Sequence, residues 1–158
     1  FSAMLRARTR VLRPTAVATR HFTAMVARSA KDAAAAGSTT SELREFESVS
    51  ELPRQDPDAT VEVEVAYSDL NYKDGLIVLG RSGVVKAFPI VPGIDFAGTV
   101  VRSRSPHFQE GDAVALTGNK AGQYFDGGYA QRAACQAEHL VKLPPGLSTL
   151  QAMALGTA

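Results

Sequence analysis

Val61-Glu62-Val63-Glu64-Val65-Ala66-Tyr67-Ser68-Asp69-Leu70-Asn71-Tyr72-Lys73-Asp74-Gly75-Leu76 is the stretch whose reading decides the fold. Its first five residues alternate valine with glutamate, the period of a strand that has one buried and one wet face. The alternation then stops. Ser68 or Asp69 is placed to cap a short helix whose apolar residues are Leu70, Ile77 and Leu79. A strand that runs into so brief a helix belongs to a sheet protein with helical connections, not to a helical bundle.

The flanks carry the same pattern outward. Residues 88–93 hold two prolines and read as an extended, turn-rich approach to a strand at 96–101. Gly111-Asp112 makes a tight turn into a strand at 113–117. A glycine-rich loop, 118–128, leads to strands at 129–135 and 139–143, and Pro144-Pro145-Gly146 ends the sheet. Ser148-Thr149-Leu150-Gln151 has capping-box spacing and predicts a helix running through Met153 to Leu155. Toward the N-terminus, Asp56-Pro57-Asp58 marks a turn, 33–40 reads as a loop or hairpin insertion, and 23–29 is an apolar run able to open a sheet. Short strands with glycine and proline corners predict a mainly β chain with short helices (α+β), arranged as a partly open barrel.

At 158 residues the chain has room for one ordinary domain, and its composition, 45% hydrophobic and 21% charged, is that of a globular protein. No apolar run approaches the roughly 18 residues that a membrane span requires. Charge is distributed unevenly. Residues 1–31 carry seven of the 17 basic residues and none of the 16 acidic ones, so the folded part is acidic and presents no basic face for nucleic acid. Arg6, Arg10 and Arg13 share a helical face, and Arg20-His21-Phe22 before Thr23 resembles a processing site. Residues 1–22 therefore read as an organellar transit peptide, mitochondrial in preference to plastid. The one cysteine, Cys135, lies in a strand-like run and reads as a small buried hydrophobe.

Two further motif groups carry a family resemblance. Leu70-Asn71-Tyr72-Lys73-Asp74-Gly75-Leu76 and Phe88-Pro89-Ile90-Val91-Pro92-Gly93-Ile94-Asp95-Phe96-Ala97-Gly98 come first. Gly111-Asp112, Leu116-Thr117-Gly118, Gly127-Gly128-Tyr129-Ala130 and Gly156-Thr157-Ala158 follow in order. Together they resemble the medium-chain dehydrogenase/reductase superfamily, in its zinc-free acrylyl-CoA reductase or quinone oxidoreductase branch, over about 23–158. The resemblance implies a GroES-like catalytic domain at 23–147. Residues 148–158 would then start a nucleotide-binding Rossmann domain whose glycine-rich turn lies beyond this chain. The spacing of Gly118, Gly122, Gly127 and Gly128 does not make a G-x-G-x-x-G phosphate turn here.

The resemblance further implies NADPH as cofactor, an enoyl-CoA or quinone as small-molecule substrate, and a homodimeric parent protein. Zinc-dependent relatives have a histidine and a glutamate where this chain has Ile94-Asp95, and with a single cysteine no cysteine-rich zinc site is possible. In a metal-free site, hydrogen-bond donors must stabilise the enolate oxygen. Asn71 and Tyr72 are the candidate catalytic residues; Asn71, Tyr72 and Thr157 are the candidate cofactor contacts. Lys73 and Asp74 could pair with each other or with the cleft floor. Arg81 and Lys86 could meet a coenzyme A phosphate, and Asn119, Lys120, Gln123 and Tyr124 could border the cleft. A second reading is a GroES-like module retained for interaction or assembly, without catalysis; half a cofactor cleft would not hold NADPH tightly.

Overall fold

The computed structural model describes residues 21–29, 39–80 and 83–157. The expected leader lies outside the described residues as far as position 20, as do Arg81, Ala158 and residues 33–38 of the expected insertion.

Seven strands and two α-helices follow one another along the described chain. They are β1 (Phe22–Arg28), β2 (Thr40–Phe46), β3 (Val61–Ser68), α1 (Tyr72–Val78), β4 (Asp95–Ser103), β5 (Ala113–Thr117), β6 (Arg132–Cys135), β7 (Val141–Lys142) and α2 (Thr149–Leu155). Single 3-10 turns occupy Val49–Glu51 and Ala137–His139. The strands form a five-stranded sheet of order β6-β3-β4-β5-β7 and a separate β1-β2 hairpin, all antiparallel. Both sheets are open, so the architecture is mainly β with two short helices and no closed barrel.

The valines of β3 that alternate with Glu62 and Glu64 are buried: Val61 and Val63 join Phe96, Val100, Val114 and Leu116 in the main core. The central strand β4 loses alternation because both its faces are covered. Phe96 and Val100 enter the main core, while Ala97 packs with Ala115, Ala152 and Met153 beneath α2. On the Phe96 face a small residue is required at 98, because a Cβ at Gly98 would run into the carbonyl oxygen of Glu64.

β1 joins the hairpin to the rest. Its Met25 N–H donates to the Tyr129 carbonyl, Gln131 N–H donates to the Thr23 carbonyl, and Ala27 and Ile90 exchange two bonds. Phe22, placed with the leader by the sequence reading, is the first residue of β1. It is buried and stacks on Phe46 with ring centroids 5.8 Å apart. β2 was not expected from the sequence. The 139–143 strand shrinks to β7 because His139 completes a 3-10 turn. The capping box ahead of α2 forms as expected: Ser148 Oγ accepts the Gln151 N–H and Gln151 Oε1 accepts the Ser148 N–H.

Candidate functional site

The site gathers where β3 ends, α1 begins, β4 begins and α2 ends. Ser68 is still part of β3, and its hydroxyl donates to the Asp95 carbonyl, 2.6 Å. The cap of α1 is therefore Asn71, three residues beyond Ser68, in an extended conformation. Of the apolar residues assigned to this helix only Ile77 is buried. Leu70 is 81% and Leu79 67% exposed.

Asp74 pairs with neither Lys73 nor the cleft floor. It is fully buried, and its carboxylate accepts the backbone N–H groups of Gly93 (3.0 Å), Ile94 (3.1 Å) and Asn71 (3.1 Å). This pins the Pro92-Gly93-Ile94 turn to the first turn of α1. Burial raises the Asp74 carboxyl above its ordinary range, against the pull of those three N–H groups. Asp126 holds the same segment from the other side, accepting Val91 N–H at 2.8 Å and Arg54 N–H at 2.6 Å. Its burial pushes it up to about 6.

The glycine-rich loop has a packing function rather than a phosphate-binding one. The N–H groups of Gly127, Gly128 and Tyr129 are spent on the carbonyls of Val91, Gly93 and Pro92. Backbone lies directly on backbone, and a Cβ at Gly93 would come within 2.6 Å of Tyr129 N and 2.7 Å of Gly128 N. Earlier in the same loop, the Tyr124 ring lies under Lys86 of the 83–89 segment, with Nζ 5.7 Å from the ring centroid. Gln123 donates from Nε2 to the Val84 carbonyl, so these residues engage one another.

Asp95, the first residue of β4, is the centre of the cluster and is fully buried. Its Oδ1 accepts the Gly118 N–H (2.8 Å) and the Thr157 hydroxyl (2.6 Å); its Oδ2 accepts a hydrogen from Asn71 Nδ2 (3.3 Å). The other hydrogen on Asn71 Nδ2 goes to Asp69 Oδ1 at 2.6 Å. Burial first, and then the charge of Asp95, push Asp69 up to about 6. Gly156 lies against this carboxylate so closely that a Cβ there would strike Asp69 Oδ2. The structure thus brings Asn71 and Thr157 together through Asp95. Tyr72 stands apart, 82% exposed on the first turn of α1 and without a hydrogen bond among the described residues.

The phenol built into the cluster is Tyr129, whose hydroxyl donates to the Asp69 carbonyl at 3.0 Å. Burial, and then the charges of Asp74, Asp69 and Asp95, raise it further above the ordinary phenol range, so it stays protonated. Sequence reasoning gave Tyr129 a place in a strand and in the Gly127-Gly128-Tyr129-Ala130 motif, but no role at the site. Nothing local marks it, because its partners lie 60 residues away in the chain.

With the geometry in hand, the chain can be compared with known proteins. Residues 57–145 match the model of the alcohol dehydrogenase GroES-like domain. The chain belongs to this GroES-like family. Acrylyl-CoA reductase AcuI of Ruegeria pomeroyi is 52% identical over 102 residues, which cover 65% of this chain and 31% of that protein. The putative quinone oxidoreductase YhfP of Bacillus subtilis is 45% identical over 102 residues, with the same shares covered. The yhdH oxidoreductase of Salmonella enterica, solved in complex with NADP, superposes with a TM-score of 0.74 at 39% identity, over 85% of this chain and 39% of that one. The matched part spans about a third of the length of these curated relatives.

In this GroES-like domain the donor set does not suit a zinc ion. Ile94 is a buried hydrocarbon, both oxygens of Asp95 are committed to protein hydrogen bonds, and Cys135 belongs to the main core. Burial pushes the Cys135 thiol up to about 12, which makes it a poor ligand and a poor nucleophile. For a nicotinamide cofactor, the fit rests on Thr157: its hydroxyl hydrogen is used on Asp95, which leaves Oγ1 able to accept from a carboxamide NH2 or a ribose hydroxyl. Asn71 is committed internally, both Nδ2 hydrogens to carboxylates and its side chain accepting the Asp74 N–H in the capping box of α1. No helix among the described residues is long and apolar enough to cross a membrane.

Proposed function

We propose that this chain is the substrate-side domain of an NADPH-dependent, zinc-free reductase that reduces an enoyl-CoA thioester such as acrylyl-CoA, or a quinone. The observation that carries the reading is the Asn71–Asp95–Thr157 arrangement, which joins two candidate cofactor contacts through one buried carboxylate, in a chain 52% identical over 102 residues to an acrylyl-CoA reductase. Residues 23–147 form the catalytic domain, and 148–158 lead into the nucleotide-binding domain of a longer homodimeric polypeptide. The leader ahead of Phe22 acts as a mitochondrial presequence.

Bound NADPH supplies a hydride to the β-carbon of the substrate. The chain's own task is to hold the nicotinamide face with Asn71 and Thr157, and to exclude water at the buried Asp95 end. Negative charge then develops on the thioester oxygen. Tyr72, with its exposed hydroxyl at the mouth of the site, is the donor that meets it, since Asn71 has no hydrogen left to give. A solvent proton completes the α-carbon.

The test uses the polypeptide that carries both domains. NADPH binding is followed by cofactor fluorescence, and NADPH oxidation is followed with acrylyl-CoA and with a quinone. Saturable binding and turnover of at least one acceptor are expected, and Tyr72→Phe should lower turnover about 100-fold. The 158-residue chain alone should show neither tight binding nor turnover. Folded two-domain protein that binds no NADPH would sink the reading and leave a non-catalytic GroES-like module.

A further inference from the structure

We propose that Asp95 is a positioning residue that holds Asn71 and Thr157 in a fixed relation beside the cofactor, a role that rests on the reductase reading above. Asp95 is the one fully buried carboxylate here whose partners include side chains from two remote segments. Asn71 lies 24 residues before it, at the cap of α1, and Thr157 lies 62 residues after it, just past α2.

The carboxylate is itself fixed before it fixes anything else. Gly118 N–H holds Oδ1 from the end of β5, and the Ser68 hydroxyl holds the residue's own carbonyl. With that anchor in place, the Asn71 amide has one rotation: Nδ2 donates to Asp69 and Asp95, and the side chain accepts the Asp74 N–H in the capping box of α1. The Thr157 hydroxyl hydrogen is likewise committed to Oδ1, which leaves its lone pairs free. The missing Cβ of Gly156 lets the segment carrying Thr157 lie against Asp69, so the approach of α2's end is built into the backbone.

A merely structural latch and a positioning residue differ in what they couple. A latch would tie α2 to the sheet, and its loss would lower stability alone. A positioning residue links the orientation of the Asn71 amide to the Thr157 hydroxyl, so a change at either should be felt at the other.

Two measurements test this. In the 158-residue chain, amide correlation spectra are compared for wild type, Thr157→Val and Thr157→Ser. Thr157→Val should move the Gly118 amide and the Asn71 side-chain amide signals, whereas Thr157→Ser should leave both near their wild-type positions. Signals unmoved in Thr157→Val overturn the role of Asp95, whatever the enzyme does. In the two-domain polypeptide, Asp95→Asn should lower kcat about 100-fold, the scale of a misplaced reacting group. The enoyl-CoA KM should change by less than about threefold. Adding Thr157→Val to Asp95→Asn should cost less than the product of the two single effects, because part of the hydroxyl's role runs through the carboxylate. Single effects that multiply in full, or Asp95→Asn turnover within about threefold of wild type, overturn the proposal. If Asp95→Asn does not fold, the contrast between Thr157→Val and Thr157→Ser decides in both measurements. Wild-type polypeptide that reduces neither acceptor overturns the reductase reading, and this role with it, an outcome separate from unmoved signals.

Discussion

Asp126→Asn should change how the stability of this chain depends on pH, in the direction opposite to ordinary acid denaturation. Asp126 is buried and accepts two backbone N–H groups, which favour its charged form, yet burial outweighs them and lifts it from 3.8 to about 6. A carboxyl raised in the folded state binds more protons folded than unfolded between those values, so folding strengthens as pH falls through the window. At 1.36 kcal/mol per pH unit, the contribution grows by about 1.4 kcal/mol from pH 7 to pH 5 and approaches about 3 kcal/mol near pH 3. Other groups titrate over the same range. Asp69 behaves similarly, while Asp112, held low by Lys142 at 2.6 Å, loses its contribution in acid. The difference between wild type and Asp126→Asn cancels these. Urea unfolding of both proteins at several pH values gives that difference directly. Wild type should gain on the variant as pH falls from 7 to 5. A flat difference, or one of opposite sign, would mean that the Val91 and Arg54 N–H groups outweigh desolvation, and would refute the reasoning.

Two further changes probe the scaffold of the site. Gly93→Ala puts a Cβ onto the backbone of Gly128 and Tyr129 at a φ of 97°, and should cost about 3 kcal/mol or more in chemical denaturation. Within α1, Ile77→Ala should cost about 2–5 kcal/mol because the side chain is fully buried, while Leu79→Ala, on an exposed residue, should stay within about 0.5 kcal/mol. Equal effects at 77 and 79 would show that α1 packs by another face.

What the sequence disclosed and what it hid divide along a physical line. The Val-Glu alternation of β3, the turn into β5 and the capping box of α2 are local, and each is present in the structure. β2 was invisible because six of its seven residues are exposed. It is a strand by virtue of backbone pairing with β1, which leaves no apolar period in Thr40-Ser41-Glu42-Leu43-Arg44-Glu45-Phe46. The start of α1 was misplaced because Ser68, Asp69 and Asn71 are all competent caps. The choice among them is made by Asp95, whose carbonyl takes the Ser68 hydroxyl and whose carboxylate takes the Asn71 amide. Asn71 and Thr157 were legible through family resemblance. Their connection was not, since it runs through one oxygen pair bridging residues far apart in the chain.

The buried carboxylates can be sorted by the donors they accept. Asp74 takes only backbone N–H groups, and so does Asp126 toward Val91 and Arg54. Backbone donors stay where the fold puts them, so these two residues fix the path of the backbone, tying 91–94 to the start of α1 and to Arg54. Asp95 takes one backbone N–H and two side-chain donors that could otherwise rotate. Only an acceptor of that second kind can orient other polar groups, because only freely rotating donors have an orientation left to set. The aspartate in Ile94-Asp95 therefore has two consequences at once. Its neighbour offers hydrocarbon where a metal would need a ligand, and its own oxygens are occupied in holding Asn71 and Thr157. The buried charge that organises these two side chains therefore comes from the protein itself, and in this fold it sits at the first residue of β4.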